Sequence, residues 1–158
     1  MRVLITKSEP RRKASFRCIV NDNLSLAEHL RTCGIIYSDK KQPRLPIPAK
    51  CVVHGIVPSP KRQVTIRLLF PRRRLFLKAA LEMINLYGRP ATIEEVLALR
   101  AQHSDLLYSV VATGSRMGKI SAIPHTYRWG AKTLFIEVLY PRVAFFRYHV
   151  FAYVANAA

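Results

Sequence analysis

Acidic residues are scarce. Nine Asp and Glu stand against 26 Lys and Arg, leaving a net charge of +17 over 158 residues. So few carboxylates, scattered along the chain, do not make the cluster that a magnesium-dependent nuclease needs. Cysteine is scarce too. Cys18, Cys33 and Cys51 are odd in number and fit no disulfide framework, which points to a reducing intracellular compartment, cytoplasm or organelle matrix. There is no long hydrophobic run: the most apolar stretch, 134–154, is broken by Glu137, Pro141-Arg142 and Arg147. A transmembrane helix and a membrane partner are therefore not expected. The first residues, Arg2 to Lys7, read as a strand and not as a secretory leader. No repeat or low-complexity tract is visible. Half the chain is apolar and 22% is charged, so it is no disordered basic tail. A single basic domain over 1–158 is the expected organisation.

Hydrophobic periodicity supplies the elements. Strands are expected at Arg2–Lys7 and Ser15–Val20, joined by the basic loop 8–14. Ser25 and Glu28 form a capping box for a short helix that Gly34 ends. Pro43, Pro46 and Pro48 make 37–50 an extended basic loop. Cys51–Val57 and Gln63–Phe70 read as a hairpin turning at 58–62. A helix is expected from Pro71, a favoured first position, through Tyr87 to a stop at Gly88. Another starts at Thr92, with Glu95 as box partner, and reaches about His103. Residues 104–112 lean towards helix. The remainder reads as strands at 119–123, 133–140 and 143–154. In the last, Phe145, Arg147, His149, Phe151 and Tyr153 share one face. The sum is an α+β fold, a mostly antiparallel sheet from β-hairpins packed against two or three helices.

The positive charge is the strongest functional signal, because a polyanion relieves its self-repulsion and releases counterions on binding. Arg outnumbers Lys by 17 to 9, and the planar guanidinium suits phosphates and stacks on bases. Residues 1–80 carry 18 basic and 4 acidic side chains, so the polyanion should meet mainly that half. The candidate contacts are Arg11, Arg12 and Lys13, then Lys40, Lys41 and Arg44, then Lys61, Arg62 and Arg67, and finally Arg72, Arg73 and Arg74. The last triplet is the sharpest. Placed in a first helical turn it would oppose the helix dipole, while the free amides of that turn would add to a phosphate site. The aromatic and cationic face of 145–153 has two readings: a base-stacking surface, or a second buried layer, which its apolar content favours.

Other constellations are weaker. Residues 112–120 resemble a phosphate loop, but the spacing from Gly114 to Gly118-Lys119 is one short and Ile120 stands where a hydroxyl is needed; a basic turn is the better reading. Cys18, His29, Cys33, Cys51 and His54 have a zinc-like mixture, yet the cysteines fall at apolar positions. His54, His125 and His149 are the candidates for a metal-independent ribonuclease.

The sequence thus points to a non-catalytic nucleic-acid-binding protein, RNA favoured over DNA. A structural, ribosomal-protein-like subunit of a ribonucleoprotein, with other proteins as neighbours and no cofactor, fits best. A small RNA- or DNA-processing nuclease and a genome-facing protein of a viral or phage particle are the alternatives.

Overall fold

A computed structural model describes residues 15–34, 49–51, 56–118, 121–129, 133–142 and 144–156. Within them lie nine strands and three helices. In chain order these are β1 (Ser15–Val20), α1 (Leu26–Thr32), β2 (Ala49–Cys51), β3 (Arg62–Leu69), α2 (Leu77–Asn85), β4 (Gly88–Pro90), α3 (Ile93–Gln102), β5 (Ser109–Val111), β6 (Ser115–Met117), β7 (Ile123–Trp129), β8 (Thr133–Leu139) and β9 (His149–Ala155). The main sheet runs β1-β3-β9-β5-β7-β8, with β4 also on β9. Only the β5–β9 pair is parallel. The α+β class and the mostly antiparallel sheet are as the periodicity predicts. The strand expected at Arg2–Lys7 lies outside the described residues.

β9 is the centre of the fold. β3 pairs along Phe151–Val154 on one side, so β5, at His149–Phe151, and β4, at Tyr153–Ala155, must share the other. Alternation then sends Val150, Ala152 and Val154 into one core, together with α3 and the β1–β3 side chains Cys18, Val20, Val64, Ile66 and Leu68. Phe151 and Tyr153 enter a second core on the opposite face, with Leu75, Ala80, Ile84 and Phe145. A strand buried on both faces is nearly continuously apolar, as His149–Ala155 is. This settles the two readings of the 145–153 face: Phe145, His149, Phe151 and Tyr153 form a buried second layer.

α3 is buried nearly all round, including two charged residues, Glu95 and Arg100. Thr92 and Glu95 close the capping box expected of them, and the Ser115 hydroxyl accepts from the Ile93 amide at 2.9 Å. Glu95 also binds Arg62 at 2.6 Å and Arg89 at 2.6 and 3.0 Å. Burial alone would raise its pKa. Arg89, the Thr92 amide and Arg62 outweigh that and hold the carboxyl below the usual range. Arg100 instead donates to carbonyls of Leu106 (2.6 Å), Tyr108 and Thr126 (3.0 Å), and to the Thr126 hydroxyl at 2.9 Å. It staples the segment after α3 onto β7. The far end of α3 guards the sheet edge: the Gln102 amide exchanges bonds of 3.0 and 2.7 Å with the Ile19 backbone.

Several expectations are corrected. β3 is not half of the expected 51–57/63–70 hairpin: it is held between β1 and β9, residues 56–59 before its turn are not strand, and Cys51 belongs to β2, which pairs β6; residues 52–55 lie outside the described residues. Long-range pairing outcompetes the local turn because β3 must cover both neighbours' apolar rows. Residues 104–112 are loop and β5, not helix, since the backbone carbonyls at 106 and 108 serve the Arg100 guanidinium. The phosphate-loop lookalike contains β6 and is no free turn. Thr113, Gly114 and Ser115 are buried, and Gly114 donates to the Ala91 carbonyl at 2.8 Å. Among the described residues, no group of three or more metal-ligating side chains gathers, and no helix is long and apolar enough to cross a membrane. Burial raises the thiols of Cys18 and Cys33 to about 11, away from metal-binding thiolate. Cys33 donates to the Leu97 carbonyl at 2.9 Å. The Cys51 side chain and His54 are outside the described residues.

Two substitutions test this packing by urea unfolding. Arg100→Met removes the guanidinium donors to the Leu106, Tyr108 and Thr126 carbonyls, of which Leu106 keeps a 3.3 Å bond from Arg128, and is expected to cost about 3 kcal/mol; a loss below about 1 kcal/mol would show that the staple is dispensable. At Gly88 an added Cβ would lie 2.0 Å from the Val154 carbonyl oxygen across the β4–β9 pair. Gly88→Ala should therefore cost at least about 2 kcal/mol, and an unchanged unfolding midpoint would refute the close approach.

Candidate nucleic-acid interface

The predicted basic residues meet different fates. Arg11, Arg12, Lys13, Lys40, Lys41 and Arg44 lie outside the described residues. Lys61 is exposed at the turn before β3. Arg62 is not a surface cation. Its guanidinium donates to both Asp22 oxygens at 2.8 Å and to Glu95, which leaves no face for a phosphate. The Asp22 carboxyl is held below its ordinary range, first by the Arg62 hydrogen bonds. Arg67 is half-buried on β3, opposite Ser15 and Tyr153, and its Nε lacks a partner among the described residues. Lys61 and the Arg72–Arg74 triplet stand at opposite ends of this eight-residue strand, roughly 25 Å apart at a strand's rise. They do not form one compact patch.

Arg72, Arg73 and Arg74 are exposed, but not in a helix. α2 begins at Leu77, after Phe76 as a cap without a side-chain bond. The reason is tertiary. Leu75 and Phe145 exchange two backbone hydrogen bonds, 3.2 Å from the Leu75 amide and 2.7 Å from the Phe145 amide. That pairing holds residue 75 extended, so helical turns cannot start at Pro71. The predicted conflict with the helix dipole disappears, and so does the predicted amide site. The arginines sit instead on a loop clamped to a second loop.

That second loop carries what the periodicity misplaced. Residues 143–154 are not one strand, because a turn at Arg147-Tyr148 precedes β9. The turn is closed by the His149 amide donating to the Phe146 carbonyl at 3.0 Å. The Phe146 amide in return donates to the His149 Nδ1 at 3.0 Å. Phe146 and Tyr148 are thereby turned outward, 38% and 61% exposed, with Arg147 exposed beside them. Their rings stack, with centroids 5.3 Å apart and planes 7° from parallel. The Arg74 guanidinium carbon lies 4.3 Å from the Phe146 ring centroid, a cation–π contact. The clamp thus brings Arg74, the last of the exposed triplet, onto a pair of solvent-facing rings flanked in sequence by Arg147, from segments 70 residues apart in sequence. No Gly, Pro, Asn or Asp marks the Arg147-Tyr148 turn, so turn chemistry offered no signal for it.

No family model, curated protein or solved structure matches this chain.

Beneath the turn lie the two described candidate histidines. His125 and His149 are 5% and 4% exposed and meet edge to face, with centroids 5.5 Å apart. Both favour the neutral ring. Burial and then the neighbouring His149 push His125 down to about 4, and burial lowers His149. Because its Nδ1 accepts from Phe146, neutral His149 carries its proton on Nε2. Its visible work is to hold the turn. His125 stacks on Tyr127, whose hydroxyl donates to Glu137 at 2.7 Å. Neither imidazole is exposed to solvent.

A depressed histidine pKa has a signed consequence. The unfolded chain takes up the proton first, near pH 6.5, so stability is complete above that value and falls as pH drops towards the folded pKa. From pH 7 to pH 5, His125 alone should remove about 2 kcal/mol of stability. Urea midpoints across that range should show the loss, and His125→Gln should flatten it. A wild-type profile flat from pH 7 to 5 would mean that the ring is not buried as described.

Proposed function

We propose that this protein is a non-catalytic RNA-binding subunit of a ribonucleoprotein, docking through a basic surface centred on Arg72, Arg73 and Arg74. One observation carries the reading: three adjacent arginines are held in the open on a fixed loop, joined there by Arg147, while Arg62 and Arg89 are neutralised inside the fold by Asp22 and Glu95. Charge of one sign gathered on a rigid loop has a natural counterpart in a phosphate backbone. The excess of Arg over Lys favours nucleic acid over a generic anion, since each fork can take a phosphate with two hydrogen bonds. In this reading the nucleic acid is RNA, and other proteins of such an assembly would share its surface. Free thiols at Cys18 and Cys33 suit a reducing intracellular compartment.

The binding surface would not include Arg62, whose charge is already taken. The arginine loop would provide the electrostatic share of affinity, which declines with salt as counterions compete.

Changing Arg72, Arg73 and Arg74 together to Ala is expected to lower the slope of log affinity against log salt by about 2 to 3. Stability should change by less than about 1 kcal/mol, the side chains being exposed. RNA-binding titrations at several salt concentrations check this. An unchanged slope would remove the triplet from the interface.

A further inference from the structure

The phosphate-binding reading uses the arginines and leaves the exposed rings unexplained. Resting on that reading, we infer that the Arg74–Phe146–Tyr148 stack is a platform for unpaired bases, so that the segment of RNA bound here is single-stranded. Tyr148, 61% exposed, stacks on Phe146, whose ring centroid also lies 4.3 Å from the Arg74 guanidinium carbon, so a base would meet the outer face of Tyr148; Phe76, 61% exposed, follows on the arginine loop. The segments 71–76 and 144–148 contain no acidic residue. A fully paired helix has its base faces covered and offers phosphates, sugars and groove edges. Only an unpaired strand offers a π-face for a ring to meet. Arginines alone would serve a duplex; rings set among them serve a strand whose bases are splayed.

The rings are also preorganised. The Leu75–Phe145 bonds fix one loop against the other, and the two bonds between Phe146 and His149 fix the turn. Little ordering remains to be done on binding. Exposed aromatic surface of this kind in a basic setting is a poor match for an apolar protein partner, because the arginines would have to be desolvated against it. Stacking tolerates any base, so the platform predicts weak sequence preference. Specificity would come from whether the RNA is unpaired at that place.

The test uses the full chain and a 12-nucleotide RNA containing a fluorescent base analogue quenched by stacking, free or annealed to its complement. The expected result is single-strand binding about 10-fold or more tighter than duplex binding, with quenching on the single strand. Tyr148→Ala should lower single-strand affinity by about 5- to 50-fold, leaving duplex affinity and the salt slope unchanged. Tyr148→Trp should retain tight binding and quenching. Tyr148 is largely exposed, so a thermal midpoint within a few degrees of wild type is expected and verifies the fold. If Tyr148→Ala lowers neither affinity, or both equally, base stacking is overturned while the phosphate reading stands. If the wild-type chain binds neither RNA at low salt, both fall together.

Discussion

A fully buried carboxylate organises this arginine-rich chain. Glu95 caps α3 through the Thr92 amide and at the same time receives Arg62 from the start of β3 and Arg89 from β4. One side chain thus joins a helix N-terminus to two strands on either side of β9. An unpaired carboxylate at that depth would cost several kcal/mol, and two guanidinium partners with a backbone amide offset it. Asp22 extends the set by holding the other edge of Arg62. Among the described acids, Asp22 and Glu95 are committed to internal cations.

Three arrangements of arginine stand out among the described residues. Arg62 and Arg89 are ion-paired. Arg100 is enclosed by carbonyls and a hydroxyl, and burial, with Arg128's charge adding to it, lowers its pKa to about 10. Arg72, Arg73, Arg74 and Arg147 are exposed on two loops tied together by backbone hydrogen bonds. That third arrangement has no bearing on the core. A patterned cation cluster that the core does not require, set beside outward rings, is what the functional proposal builds on.

Much of the fold was readable in the chain because it is local. β1, β3 and β8 follow from strict alternation, and α1 and α3 from their capping boxes, which close as Ser25–Glu28 and Thr92–Glu95 predict. Those signals involve residues three apart, or every second residue. The start of α2 was misread, because Pro71 is a good local start and nothing nearby reveals that Leu75 pairs with Phe145. The hairpin between 51 and 70 was misread for the same reason, its partner strands lying far off in sequence. The 145–153 face was rightly suspected to be a buried layer from Phe151 and Tyr153. The outward turn of Phe146 and Tyr148 is not legible, since 143–154 reads as one strand and no turn-forming residue announces the break.

Composition and spacing alone establish a folded α+β chain with great positive charge and a conspicuous Arg72-Arg73-Arg74 run, for these depend on content and short-range period. Which arginines are free, and what they stand beside, is a three-dimensional matter. Arg62 and Arg72 look alike in sequence, yet one meets Asp22 and Glu95 and the other meets solvent. The arginines and the rings of Phe146 and Tyr148 become neighbours only because the sheet places the ends of β3 and β9 side by side. No local rule can bring together segments 70 residues apart; long-range strand pairing does.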